Sequence, residues 1–200
     1  MSGLVNREPR SDAVRNRQAI LAAADELFAR ADGRTVSTDD VAAAAGVGKG
    51  TIFRAFGDRA GLLDALFERR AEGLRAEIIE AEGRNLGEGP QARVSGILRA
   101  VVRFKVANLS LVRAIEDAAG RRGSQSLFDS PPYRAVYRVL TEQIDSLPGP
   151  ADRRMSSSWA AHVLLSAVRV DLLDHLLGEQ MSAAELEEAV DALAQRLLPT

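Results

Sequence analysis

The sequence predicts an all-α protein, and three observations carry that prediction. Apolar residues recur at helical spacing along almost the whole chain, and no segment alternates with the two-residue period of a strand. The periodic segments are separated by turn-forming stretches: DGRT (32–35), GVG (46–48), NLGEGP (85–90) and LPGPAD (147–152). The periodic segments between these breaks number roughly nine.

The first helix is expected over about Ala13–Ala31, with Ile20, Leu21, Ala24, Leu27 and Phe28 on one face. A short helix follows over about Thr38–Ala45. Ser37 and Asp40 form its capping box, with aspartate in place of the usual glutamate, and Gly46 ends it. A third covers about Lys49–Phe56. The fourth is long, about Arg59–Arg84, with Leu62, Leu63, Leu66, Phe67, Leu74 and Ile78 as its stripe. Pro90 suits the first turn of the fifth, which carries Val94, Ile97, Leu98, Val101 and Phe104. The sixth spans about Leu109–Ala119, and a loop over 120–132 leads to a helix that starts at Ser130-Pro131 and carries Tyr133, Val136, Tyr137, Leu140 and Ile144.

The last two helices bear on assembly. In the first of them Trp159, Val163, Ser166, Val170, Leu173 and Leu177 are spaced 4,3,4,3,4, an a/d seam. A second apolar row, Ala161, Leu165, Val168, Leu172 and Leu176, lies beside it, and Gly178 closes the helix. Ser182 and Glu185 cap the final helix, whose seam is Leu186, Val190, Leu193 and Leu197. The short link makes the pair antiparallel. Two such pairs from two subunits would form a four-helix interface; coverage of both rows within one chain is the alternative.

Composition narrows the function. The chain has 200 residues, 46% apolar and 27% charged, with a net charge of −2, so a uniformly basic nucleic-acid coat is excluded but a local basic face is not. It has no cysteine, which removes disulfides and thiolate metal sites. No stretch reaches ~18 uninterrupted apolar residues, and the N-terminus lacks a signal-peptide run. A cytoplasmic location, no membrane association and no cofactor are expected.

The stretch AGVGKGTIFRAF (45–56) raises the sharpest question. A phosphate loop needs G-x-x-x-x-G-K-[ST] after a strand. Here a helix precedes the glycines, and Lys49 stands before Gly50. A helix–turn–helix fits better. Gly46 takes the left-handed conformation, and Val41, Ala45, Val47, Ile52 and Phe56 make a small core. Lys49, Thr51 and Arg54 then face outward, and Gly48 and Gly50 permit close approach to phosphate. An ordinary helical hairpin with a solvated face has the same spacing. Before and at the start of the first helix, Arg7, Arg10, Arg15 and Arg17 outnumber Glu8 and Asp12.

At these residues the sequence resembles the TetR family of bacterial transcriptional regulators. The stretch TVSTDDVAAAAGVGKGTIFRAFGDRAGLLDAL (35–66) is similar to the family pattern in order and spacing, and the likeness extends over about residues 15–75. It implies a flexible arm (1–12), a helix–turn–helix DNA-binding domain (13–58) and a ligand-binding and dimerisation domain (59–200). It also implies a homodimer on a pseudo-palindromic double-stranded DNA operator, a repressor released by an unknown small-molecule effector. By the same resemblance Thr38 contacts phosphate, Gly48, Lys49, Gly50, Thr51 and Arg54 occupy DNA-facing positions, and Arg59 also meets phosphate. Phe53 stands where the family usually has tyrosine, and Ala55 where histidine is common. Phe53 still packs on sugar or a thymine methyl, without the hydroxyl.

The effector pocket is expected between the fourth and eighth helices. Its candidates are Leu74, Ile78, Phe104, Ile115, Tyr137, Trp159 and His162, and most of these read first as plain core. Trp159 also lies on the seam. His162 reads as a hydrogen-bonded, half-buried histidine. Two histidines thirteen residues apart make a poor metal site, and Glu116-Asp117 reads as a solvated pair. No nucleophile–base pair points to an enzyme. A helical dimer that binds a protein partner instead of DNA is the competing class.

Overall fold

A computed structural model describes residues 9–31, 36–84, 89–120, 128–148 and 156–198. All regular structure among them is helical: α1 Pro9–Ala29, α2 Thr38–Ala44, α3 Lys49–Phe56, α4 Arg59–Arg84, α5 Pro90–Ala107, α6 Leu109–Gly120, α7 Pro131–Asp145, α8 Ser157–Ala167, α9 Val170–Gly178 and α10 Ala183–Leu197. The chain forms two compact units, Met1–Arg69 and Arg70–Thr200.

In the first unit, α1 packs on α2 and α3, which also pack on each other. Ile20, Ala24, Phe28, Val41 and Ile52 are buried there. Helix α1 starts four residues before the expected Ala13, because Pro9 suits a first helical turn, where its missing N–H costs nothing. Residues 9–12 are therefore helical and not arm, and residues 1–8 with Arg7 lie outside the described residues.

In the second unit, α5 is the central element, packed against α6, α7, α9 and α10. Val94, Ser95, Gly96, Ile97 and Leu98 are consecutive and all buried. The sequence stripe named only one face of this helix. Small residues on the other sides (Ser95, Gly96 and Ala100) let neighbouring helices close in, so the helix is enclosed almost all round. Helix α7 packs on α8, and α10 packs chiefly on α5 and also on α8.

One expected helix is two. The apolar rows predict a continuous helix from Trp159 to Leu177, but it breaks at Val168 and Arg169, the latter extended at φ −64°, ψ 144°. No glycine or proline marks the break. Val168 and Val170 are two apart and would point to opposite sides of one helix. The break lets both be buried, at 0% and 2% exposure. Polar pairs hold it: Arg169 Nε and Nη2 donate to the two carboxylate oxygens of Asp171, each at 3.1 Å, and Asp171 Oδ1 accepts the Leu172 N–H at 3.0 Å.

A charge cluster surrounds this break. Arg113 Nη1 donates to Asp174 Oδ2 at 2.6 Å, and Lys105 Nζ donates to Glu116 Oε1 at 3.1 Å. Glu116 is thus mostly buried and not solvated as the sequence suggested, whereas its neighbour Asp117 is exposed. Burial pushes the Lys105 ammonium below its ordinary range, against the opposing pull of Glu116.

The end of α9 also differs from expectation. Gly178 remains helical, and the left-handed residue is Gln180, at φ 74°. Gln180 N–H donates to the Leu177 carbonyl and Met181 N–H to the Leu176 carbonyl, each at 3.1 Å, the two bonds of a Schellman cap. A non-glycine side chain in that conformation is strained by roughly 1 kcal/mol. Gln180→Gly is expected to raise the unfolding midpoint by roughly 2–4 °C, read by thermal denaturation.

Candidate nucleic-acid interface

Two backbone bonds make the turn between α2 and α3. Val47 N–H donates to the Ala42 carbonyl at 3.0 Å and Gly46 N–H to the Ala43 carbonyl at 3.2 Å. That is a Schellman cap with Gly46 as the left-handed residue, at φ 65°. The other end of α2 carries the capping box expected from the sequence: Ser37 N–H donates to Asp40 Oδ2 at 2.8 Å and Asp40 N–H to Ser37 Oγ at 3.1 Å. Hydrogen bonds from the Ser37 hydroxyl and N–H hold the Asp40 carboxyl below its ordinary value.

The turn aims α3. Ile52 is fully buried, while Lys49, Gly50, Phe53 and Arg54 are exposed. At about 100° per residue these four fill an arc of roughly 140°. Phe53 is 43% exposed, a large apolar ring set among polar neighbours. Thr51 is half-buried at the edge of this arc and not fully outward as the sequence suggested. Gly48 is exposed as the residue before α3, and Thr38 is half-buried at the start of α2. Lys49 Nζ lies 2.9 Å from Asp39 Oδ1, so this cation already has an exposed partner.

Arg59 has a partner within the chain. Its Nη1 donates to the carbonyl of Val36, a part-buried contact that ties the start of α4 to the entry of α2. Two residues that sequence reasoning did not single out also shape the site. Gly61 lies so close to α3 that a Cβ placed on it would stand 2.1 Å from the carbonyl oxygen of Phe56. Its N–H donates to Asp58 Oδ1 at 2.8 Å, an N-cap for α4. A glycine near a helix start was the available signal. The second residue is Arg17, whose Nη1 donates to the carbonyl of Ala55 at 2.6 Å.

Among the expected pocket residues, burial differs from one to the next. Leu74, Ile78 and Phe104 are each 8% exposed, and Ile115 is half-buried. Trp159 is 60% exposed, at the surface and not in a pocket. Tyr137 and His162 do meet, their rings stacked at 4.7 Å. Tyr133 Oη is 2.6 Å from His162 Nδ1, and Phe128 meets the Tyr133 ring edge-on at 5.3 Å. Burial, helped by Tyr137, pushes the Tyr133 phenol up to about 12, so it keeps its proton at neutral pH. Two clefts, of about 570 and 630 Å³, are lined by charged residues that include Glu77 and Arg103 in one and Arg113 and Asp171 in the other. Neither contains an expected pocket residue.

On the expected dimer seam, Val170, Leu173, Leu186 and Val190 are buried within their own chain. Ser166 is exposed, and Val163, Leu177, Leu193 and Leu197 are half-buried.

Residues 20–66 match the model of a family described as bacterial regulatory proteins, tetR family. The chain is 28% identical over 149 residues to the HTH-type transcriptional regulator SAR0097 of Staphylococcus aureus (strain MRSA252), covering 73% of this chain and 76% of that one. Its fold is similar to that of a bacterial regulatory protein in the tetR family from Rhodococcus RHA1, with a TM-score of 0.66, 18% identity and coverage of 92% and 96% of the two chains. It is also similar to that of the TetR-like transcriptional regulator LfrR from Mycobacterium smegmatis, solved in complex with proflavine, with a TM-score of 0.56, 21% identity and coverage of 93% and 97%.

Replacing a helical glycine by alanine ordinarily stabilises. At Gly61 the sign reverses, because the new methyl meets a backbone carbonyl. Gly61→Ala is expected to destabilise by on the order of 3 kcal/mol, read by denaturant unfolding. An unchanged midpoint would show that the contact relaxes freely.

Proposed function

Because the chain belongs to the TetR family of bacterial transcriptional regulators, DNA-binding proteins and not enzymes, we propose that it is a dimeric repressor released from its operator by a small molecule. The observation that carries this reading is the exposed arc of α3, with Lys49, Gly50, Phe53 and Arg54 outward over a buried Ile52. A helix of that size enters the major groove and reads base edges with its first turns. Arg54 is the base reader, and Lys49 meets phosphate. Phe53 packs on sugar or on a thymine methyl. The N-terminus of α2, at Thr38, abuts phosphate. Arg59 supports this surface from its bond to Val36.

In the dimer, two copies of α3 stand one DNA turn apart, about 34–36 Å. The subunits meet on the part of the seam that their own chain leaves half-buried or exposed: Trp159, Val163, Ser166, Leu177, Leu193 and Leu197, with Leu172, 40% exposed, beside them. An effector in the second unit acts through α4, whose residues continue from one unit into the other. It releases DNA only by binding the non-DNA conformation more tightly. The complex of the LfrR neighbour with proflavine supports a small-molecule effector.

Footprinting on DNA upstream of its own gene is expected to protect a pseudo-palindrome. Arg54→Ala costs about 1–3 kcal/mol of discrimination at one base pair per half-site, whereas Lys49→Ala weakens all sequences alike. A uniform loss from Arg54→Ala would remove its reading role. Arg59→Ala is expected to lower both affinity and the unfolding midpoint. Trp159→Glu is expected to yield monomers by sedimentation, and a dimer that survives it would place the interface elsewhere. A folded dimer that shifts no DNA at low salt would favour a protein partner instead.

A further inference from the structure

We infer that Arg17 on α1 is a positioning residue for DNA recognition, one that holds the C-terminal end of α3 without touching DNA. The inference rests on the DNA-binding reading above. Helix α3 has eight residues, fewer than an isolated helix needs to persist in water. Its aim therefore depends on what anchors it. Its middle is anchored by the buried Ile52. Its C-terminal end carries carbonyls that the helix itself cannot satisfy. The Phe53 carbonyl accepts the Gly57 N–H at 2.8 Å. The Ala55 carbonyl accepts from Arg17 Nη1 at 2.6 Å, across 38 residues of sequence.

The same guanidinium lies over the ring of Phe56, with Cζ 4.2 Å from the ring centroid. One planar group thus makes a charge-assisted hydrogen bond and a cation–π contact on adjacent residues. Its positive charge also sits at the negative end of the helix dipole. Gly61 also comes close to Phe56, so close that a β-carbon on it would meet the Phe56 carbonyl. Arg17, Phe56 and Gly61 together fix the end of the helix whose exposed arc would read DNA.

Two measurements separate this role from a direct phosphate contact. In the DNA-free protein, hydrogen exchange at the amides of residues 52–57 is expected to quicken in Arg17→Ala. In gel shifts against a duplex of the DNA upstream of its own gene, the variant is expected to bind about tenfold more weakly, at a temperature where circular dichroism shows it folded. Binding to a random duplex and the slope of log affinity against log salt are expected to stay as in wild type. Arg17→Lys keeps the charge but cannot lie flat on the ring, so it is expected to remain weaker than wild type. Unchanged exchange in Arg17→Ala overturns the inference. So does a salt slope reduced by about one together with full recovery in Arg17→Lys, the signature of a phosphate contact. If the wild type shifts no specific duplex, the DNA-binding reading fails by itself, and the exchange result still decides whether Arg17 anchors α3.

Discussion

Two backbone hydrogen bonds, from Val47 to Ala42 and from Gly46 to Ala43, determine what α3 presents to its surroundings. They turn the chain within three residues and bring two helices too short to stand alone into contact, with Val41 and Ile52 buried. Once Ile52 is buried, helical geometry leaves Lys49, Gly50, Phe53 and Arg54 no direction but outward. The left-handed dihedral at Gly46 is the condition for this, since a β-carbon there would strain the turn. Gly61 and Arg17 refine an orientation that the turn has already set.

The second unit is organised by a different constraint. Helix α5 is enclosed almost all round, so each neighbour must bring a face that fits it. The break at Val168–Arg169 is the local result. A straight helix would turn either Val168 or Val170 outward, and the break buries both. It also brings Arg169 within 3.9 Å of Glu116, whose Oε2 is buried without a hydrogen bond among the described residues. The Lys105–Glu116 pair is enclosed with it. Charges in such a place hold geometry more than they add stability, because desolvation offsets most of their attraction.

Local chemistry was legible in the sequence, and chemistry across distance was not. Both capping boxes, Ser37 with Asp40 and Ser182 with Glu185, formed as read, because donor and acceptor lie three residues apart. The left-handed Gly46 and the bounds of α3 and α4 were legible for the same reason. Arg17 was counted only as part of a basic arm, since no periodicity pairs it with Ala55. The break at Arg169 was hidden because apolar rows run straight through it. At α9 the glycine rule pointed to Gly178, while the left-handed turn falls two residues later, at Gln180. For the pocket, spacing marks a residue such as Phe104 as buried but does not distinguish burial by protein from burial by a ligand.

The ion pair between Lys49 and Asp39 gives the exposed arc a built-in competitor. A phosphate that approaches Lys49 must displace a carboxylate already 2.9 Å away. The attraction gained is then a difference between two anions and not the full pull of an unpaired cation. Loose association with arbitrary DNA relies on such pulls alone and is weakened most. A duplex that also satisfies Arg54 and Phe53 has other contacts to draw on. On the DNA-binding reading proposed above, Asp39 raises selectivity by making the surface less adhesive, without touching a base.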